Sequence, residues 1–267
     1  KYSLLTSPIL KLLTRICIQE ESDKKVWEKL GVSSGKIFFT GSIKFDRENI
    51  DPPCEIEEFR NLLKGLFQGK QRSVLLAGST HPGEELMIAR KFKKLKQEFP
   101  DLCYVVAPRH VERCKILFEE LSKEGLKTQL RSQLDYEQSN QKNSNVIDCL
   151  IIDTTGELNA WYHLSDIVIV GKSFLSHGGQ NPVEPIFAGK PVIVGPHMEN
   201  FTALVSLLNK HEGIRQIDDS ELLIQSISEI LYNPETADKM VIRANEALSC
   251  HQGASERTAK LITSKFF

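Results

Sequence analysis

Residues 167–196 leave the chain little freedom in what it can fold into. Ile167-Val168-Ile169-Val170 is a continuous apolar run, the pattern of a strand buried on both faces of a parallel sheet. A glycine-bearing turn follows, from Gly171 and Lys172 to Gly178 and Gly179. Asn181 then reads as a helix N-cap, and Pro182 as the first helical position, where a missing N–H costs nothing. Glu184 falls three residues after the cap, where it can close a capping box. Gly189 ends a short helix, and Pro191-Val192-Ile193-Val194 begins another strand. Strand, glycine turn, helix start and strand together place free N–H groups and partial positive charge at the carboxyl edge of a sheet. An anionic ligand such as a nucleotide can sit there.

The rest of the chain repeats this alternation. Strands are expected at 73–78, 102–107, 128–134, 146–152 and 213–217. Helices are expected at 55–66, 84–99, 110–123, 157–164, 198–210 and 221–231, with a final helical region from Pro234 broken near Gly253. The polar residues 136–145 read as a loop. Such spacing predicts an α/β fold, a Rossmann-like parallel sheet with helices on both faces. Right-handed crossovers then put every strand-to-helix loop on one edge. Before residue 46 the pattern is less regular: short apolar runs at 15–19 and 36–41 flank a helix at 20–30. A domain boundary is expected at the polar, proline-bearing Asp51-Pro52-Pro53. The sequence starts at Lys1 in what reads as the middle of a domain, so the chain is expected to be a fragment.

Composition narrows the function classes. With 267 residues and a formal net charge of -1, the chain has no basic block of the kind that marks a nucleic-acid partner. The six cysteines are scattered without a Cys-x-x-Cys pair, which fits free thiols rather than a disulfide framework or zinc ribbon. No apolar run reaches the length of a membrane span. His81, His110, His177 and His197 all fall in strand-to-helix loops, but no metal-type spacing joins them, so no metal and no cofactor is expected. Phosphate-loop and nucleophile-elbow motifs are absent.

Four loops carry the chemistry: 78–84, 108–110, 153–158 and 171–184. Glu184 has two readings, a capping-box carboxylate or an acceptor for two vicinal hydroxyls such as those of ribose. Arg109, after Pro108, is a surface arginine or a bidentate phosphate ligand. Thr154, Thr155 and Gly156 precede a helix start and form either an ordinary cap or a site for a phosphate or base edge.

These motifs, taken together, resemble a family. Gly178-Gly179-Gln180-Asn181-Pro182-Val183-Glu184-Pro185 and Gly195-Pro196-His197-Met198-Glu199-Asn200-Phe201 are similar to signatures of the 3-deoxy-D-manno-octulosonic acid (Kdo) transferases, inverting glycosyltransferases of the GT-B fold. Thr40-Gly41-Ser42-Ile43-Lys44-Phe45-Asp46, Ala77-Gly78-Ser79-Thr80-His81, Ala107-Pro108-Arg109-His110 and Asp153-Thr154-Thr155-Gly156-Glu157-Leu158 follow the family's order. The resemblance implies a CMP-Kdo donor and a lipid A precursor acceptor at the cytoplasmic face of a bacterial inner membrane. It implies CMP contacts at Pro108 and Arg109, at Gly156, Glu157 and Leu158, and at Asn181, Pro182, Val183 and Glu184. Further donor contacts would come from Ser79, Thr80, Lys172, His177, Gly178 and Gly179. It also implies a catalytic base in an N-terminal domain upstream of residue 1, which would also meet the membrane surface, so no catalytic residue is assigned in this chain. In that scheme residues 1–45 are the remnant of the acceptor domain and linker. Residues 46–250 form the CMP-Kdo-binding domain, and 251–267 a C-terminal helix able to pack back on the N-terminal domain. Three positions depart from the family pattern: Lys172 replaces a usual glycine, Ser176-His177 a usual Pro-Arg, and Thr155 a common methionine. Two other classes stay open: another GT-B nucleotide-sugar enzyme (a UDP-sugar transferase or 2-epimerase) and a non-catalytic nucleotide-binding module.

Overall fold

The computed structural model describes residues 8–10, 12–46, 53–67, 72–134 and 146–264. The loop expected at 136–145 lies outside the described residues. The chain divides into two compact units: Lys1–Asp51 with Leu248–Phe267, and Pro52–Ala247.

The larger unit is built on a seven-stranded sheet in the order β5-β6-β4-β3-β7-β8-β9, with every neighbouring pair parallel. Its strands are β3 (Ser73–Thr80), β4 (Leu102–Pro108), β5 (Thr128–Leu130), β6 (Cys149–Ile151), β7 (Ile167–Val170), β8 (Val192–Val194) and β9 (Arg215–Gln216). The three central strands are continuous apolar runs in the sequence, and β4 is buried along its whole length. A strand covered on both faces has no polar side to alternate with. Leu75 and Ala77 pack in the main core with Ile88 and Phe92 of α3 (Glu84–Glu98), Leu117 of α4 (Cys114–Lys123) and Ile227 of α8 (Leu223–Tyr232). Leu76 points to the other face and is equally buried. Full burial of each such leucine, isoleucine or phenylalanine side chain contributes about 1.5–3 kcal/mol. Phe59 of α2 (Ile56–Leu66) stacks on Trp161 of α5 (Leu158–Leu164), with ring centroids 4.9 Å apart. Phe59, Leu62 and Leu63 recur at helical spacing and form the buried stripe of α2.

The chain runs outward from β3 through β4 to the edge strand β5, steps back to β6 between β4 and β5, returns to β7 beside β3, and continues to β8 and β9. The topological switch therefore lies between β3 and β7. Several predicted boundaries move. The strand expected at 146–152 forms a ladder only over Cys149–Ile151. The helix expected from 198 begins with a 3₁₀ turn at Glu199–Phe201 and becomes α-helical as α7 (Thr202–Lys210). The edge strand at 128–134 stops at Leu130, and a 3₁₀ turn follows.

The smaller unit contains β1 (Ile16–Ile18) and β2 (Ile37–Phe39), paired in parallel, and α1 (Asp23–Lys29). It also holds α10 (Ala254–Thr263), which follows α9 (Pro234–Leu248) after a break at Gly253, whose φ is +76°. Asp46 accepts hydrogen bonds from the N–H groups of Gly253 (2.6 Å) and Ser255 (2.7 Å), capping α10 from a distant part of the sequence. Arg257 donates to the carbonyls of Thr40 (3.0 Å) and Cys250 (3.0 Å). No helix among the described residues is long and apolar enough to cross a membrane.

Candidate functional site

The loops after β6, β4, β3 and β7 leave four adjacent strands of one parallel sheet. They share its carboxyl edge, on both sides of the switch point, where α/β sheets bind ligands.

The loop after β7 is held at its start by a residue that sequence reasoning passed over. Glu84, fully buried, accepts hydrogen bonds from the backbone N–H groups of Lys172 (2.7 Å), Ser173 (3.0 Å) and Phe174 (3.0 Å). It also accepts one from His81 N–H (2.9 Å), in its own loop. One carboxylate thus joins the loops after β3 and β7. Lys172 sits at φ +57° and Ser79 at φ +54°, conformations costly for side-chain-bearing residues. Ser79 falls at the register shift between β3 and β4. Gly171 passes so close to β3 that a Cβ there would lie 2.5 Å from the carbonyl oxygen of Ser79. The Ser173 hydroxyl donates to Val170 O (2.6 Å) and accepts from Gly195 N–H (3.0 Å), tying the turn to the end of β8. Glu85, also buried, accepts from Thr80 Oγ1 (3.1 Å) and Arg113 (3.0 Å). Thr80 is therefore committed to the scaffold.

The far end of the same turn is open. The helix expected to start at Pro182 begins one residue later, as α6 (Val183–Phe187). The Asn181 side chain accepts from Val183 N–H (3.1 Å), and its amide donates to Glu184 Oε1 (3.3 Å). Glu184 closes on the side chain of Asn181 rather than on its backbone, so the expected capping box is replaced by an Asn turn with a side-chain contact. Pro182 and Val183 are buried, whereas Glu184 is exposed. Beneath it lies the Tyr162 hydroxyl. Burial pushes its pKa well up, the negative charge of Glu184 adds to this, and a hydrogen bond with Ser79 opposes it. Tyr162 is therefore a neutral phenol facing Ser79 and Glu184.

On the other side of the switch, Pro108 is the last, buried residue of β4. Arg109 donates its N–H to Thr80 O (2.9 Å) and leaves its side chain exposed. Gly156 is exposed at φ +87°, and Leu158 starts α5. The Glu157 carboxylate is already occupied. It accepts from Trp161 Nε1 (3.2 Å) and pairs with the buried Arg131 (3.2 Å), whose guanidinium lies 4.9 Å from the Phe59 ring centroid. Any ligand contact at Glu157 is thereby left to its backbone. His81 lies between the two groups of loops. Burial lowers its pKa, Lys172 lowers it further, and Glu84 opposes both, which favours the neutral imidazole.

The structure thus brings Ser79, Thr80, Arg109, Gly156, Lys172, Asn181 and Glu184 to one edge. Arg109, Gly156 and Glu184 remain exposed there. Thr80 and the Glu157 side chain are engaged in the frame.

No family model matches the chain. The chain is similar to the 3-deoxy-D-manno-octulosonic acid transferase of Haemophilus influenzae, with 29% identity over 94% of this chain and 56% of that protein. Among solved structures it is similar to the C-terminal CMP-Kdo binding domain of WaaA from Acinetobacter baumannii. The TM-score there is 0.64 at 27% identity, covering 72% of this chain and 97% of that one. The UDP-GlcNAc 2-epimerase of Neisseria meningitidis shares the fold alone, with a TM-score of 0.58 at 16% identity over 98% of this chain and 63% of that one. The chain spans about half the length of the curated relatives it matches. The chain is thus similar to about half of a Kdo transferase, and its larger unit shares the Rossmann-like fold of that CMP-Kdo binding domain.

Proposed function

We propose that this chain is the donor-binding part of a glycosyltransferase that moves Kdo from CMP-Kdo to a lipid A precursor. The observation that carries the reading is the convergence of an exposed arginine, an exposed glutamate and a helix start on one switch-point edge. Relatives named as Kdo transferases support the choice of sugar. In this reading Arg109 pairs with the donor phosphate, and the carboxylate of Glu184 accepts from the two ribose hydroxyls. The backbone at Gly156, Glu157 and Leu158 and the α6 start at Asn181, Pro182 and Val183 complete the CMP contacts. Pro108 sets the position of Arg109. Lys172, Gly178, Gly179, Ser79 and His177 lie toward the sugar. Departure of CMP is helped by positive groups and N–H dipoles aimed at its phosphate.

The smaller unit is, on the same reading, what remains of an acceptor domain with its linker and returning C-terminal helix. The catalytic base, the lipid A precursor and the cytoplasmic membrane face belong with the upstream part of the protein. Calorimetry tests the reading: this chain is expected to bind CMP more tightly than UDP and to show no Kdo transfer by itself. Clear preference for UDP would move it to the UDP-sugar enzymes. Transfer restored by the upstream half would separate an enzyme from a binding module.

A further inference from the structure

The loops after β7 and β8 also bring together three side chains whose geometry a donor contact alone does not explain. His177 Nδ1 lies 2.8 Å from Glu199 Oε1, and His197 Nδ1 lies 3.3 Å from the same oxygen. The two imidazole centroids are 4.2 Å apart. One ligand atom from each residue falls within 4.8 Å of the other two. We propose that His177, His197 and Glu199 form a binding site for a divalent transition-metal ion of the zinc class.

The ligand chemistry selects the ion. Two imidazoles and one carboxylate suit zinc, cobalt or nickel, whereas magnesium and calcium ask for an all-oxygen shell. Metal–ligand bonds of about 2.0–2.2 Å put tetrahedral donors roughly 3.3 Å apart, close to the two histidine–carboxylate spacings of 2.8 and 3.3 Å. The carboxylate is oriented from behind. Gly178 N–H donates to Glu199 Oε2 at 2.6 Å, the kind of outer contact that fixes a metal ligand. Asn200 N–H returns a bond to Gly178 O at 3.1 Å, so the two ligand-bearing loops are clipped together by backbone. Gly178 must be glycine for this: its φ is +110°, and a Cβ would lie 2.7 Å from Asn200 Nδ2.

The site is also reachable. The side chains of His177, Glu199 and His197 are 80%, 51% and 32% exposed, leaving a fourth position for water or for an oxygen of an anionic ligand. Neutral histidines and one carboxylate leave a bound divalent ion with a net charge of +1. A cation stands beside the same turn: Lys172 Nζ lies 3.6 Å from where a Cβ on Gly178 would stand. It competes with the ion.

Calorimetric titration of Zn²⁺ into the metal-stripped chain, with Co²⁺ absorption alongside, tests the site without any assay of transfer. One equivalent is expected, with cobalt bands of nitrogen and oxygen ligation. His197→Ala and Glu199→Gln should weaken binding at least roughly tenfold, and Lys172→Met should strengthen it. His177→Ala should weaken it too, and its exposed position keeps the fold intact, as circular dichroism would verify. Three results overturn the proposal: no binding, equal affinity in all variants, or a thiolate charge-transfer band placing the ion on the exposed Cys17, Cys54 or Cys250.

Discussion

The two ends of the turn between β7 and α6 are built in opposite ways, each around a glutamate. At the first end Glu84 is fully buried, and its carboxylate is saturated by four backbone N–H groups. At the second end Glu184 is exposed, and among the described residues its carboxylate holds only the Asn181 amide, at 3.3 Å. A saturated carboxylate has no acceptor capacity left for a ligand, and removing it strands several donors. An under-used carboxylate at a helix start can exchange a weak local contact for a ligand. The glutamate that frames the site and the one available to a donor are thus separated by their hydrogen bonds, not by residue type.

Substitutions can break this contrast. The largest effect is expected for Glu84→Ala, which leaves buried N–H groups of both loops unpaired. It should cost more than about 3 kcal/mol in denaturant unfolding; a loss under 1 kcal/mol would mean that the two loops do not depend on that carboxylate. Gly171→Ala forces a Cβ against the backbone of Ser79 and Thr80, with an expected loss of roughly 1–3 kcal/mol or more by the same measurement. Arg109→Ala and Glu184→Gln should leave the melting temperature nearly unchanged, yet each should weaken CMP binding by about 1–3 kcal/mol in calorimetry. A Glu184→Gln variant that melts early with unchanged CMP affinity would return that residue to a capping role.

The smallest effect belongs to the other unit. Asp46→Ala should cost about 1 kcal/mol, the usual scale of a lost helix cap, and Asp46→Asn less. Burial raises the pKa of Asp46, but hydrogen bonds from Ser255, Gly253 and Ala254 outweigh it and hold the carboxyl below its ordinary value of 3.8. A depressed carboxylate stabilises above its unfolded pKa. The Asp46 contribution should therefore be present at neutral pH and fade as pH falls below about 4. Acid unfolding curves of the native chain and Asp46→Ala should converge there.

The sheet was legible because β3, β4 and β7 are apolar on both faces and are punctuated by turn residues. Strands of two or three residues such as β6 and β9 were placed but drawn too long, since apolar flanks such as Val146 and Ile147 look the same in or out of a ladder. Asn181 was legible because a cap acts on residues next to it. Glu84 was not, because three of its four partners are 88 to 90 residues further on and its position at a helix start invites a surface reading. Arg131 was missed likewise, since its partner Glu157 is supplied by another loop. The histidine pair with Glu199 shows the same limit: metal spacing within one helix is visible in sequence, but ligands from two loops meet only after folding.

The central claim is that an anionic nucleotide sits on the carboxyl edge around the β3–β7 switch. Amide shifts in a nitrogen-15 spectrum of the chain titrated with CMP test it most directly. The amides of Arg109, of Gly156, Glu157 and Leu158, and of Asn181, Val183 and Glu184 should move, with those held by Glu84 moving less. Shifts confined to the opposite sheet edge or to the smaller unit, or no shifts at saturating CMP, would contradict it.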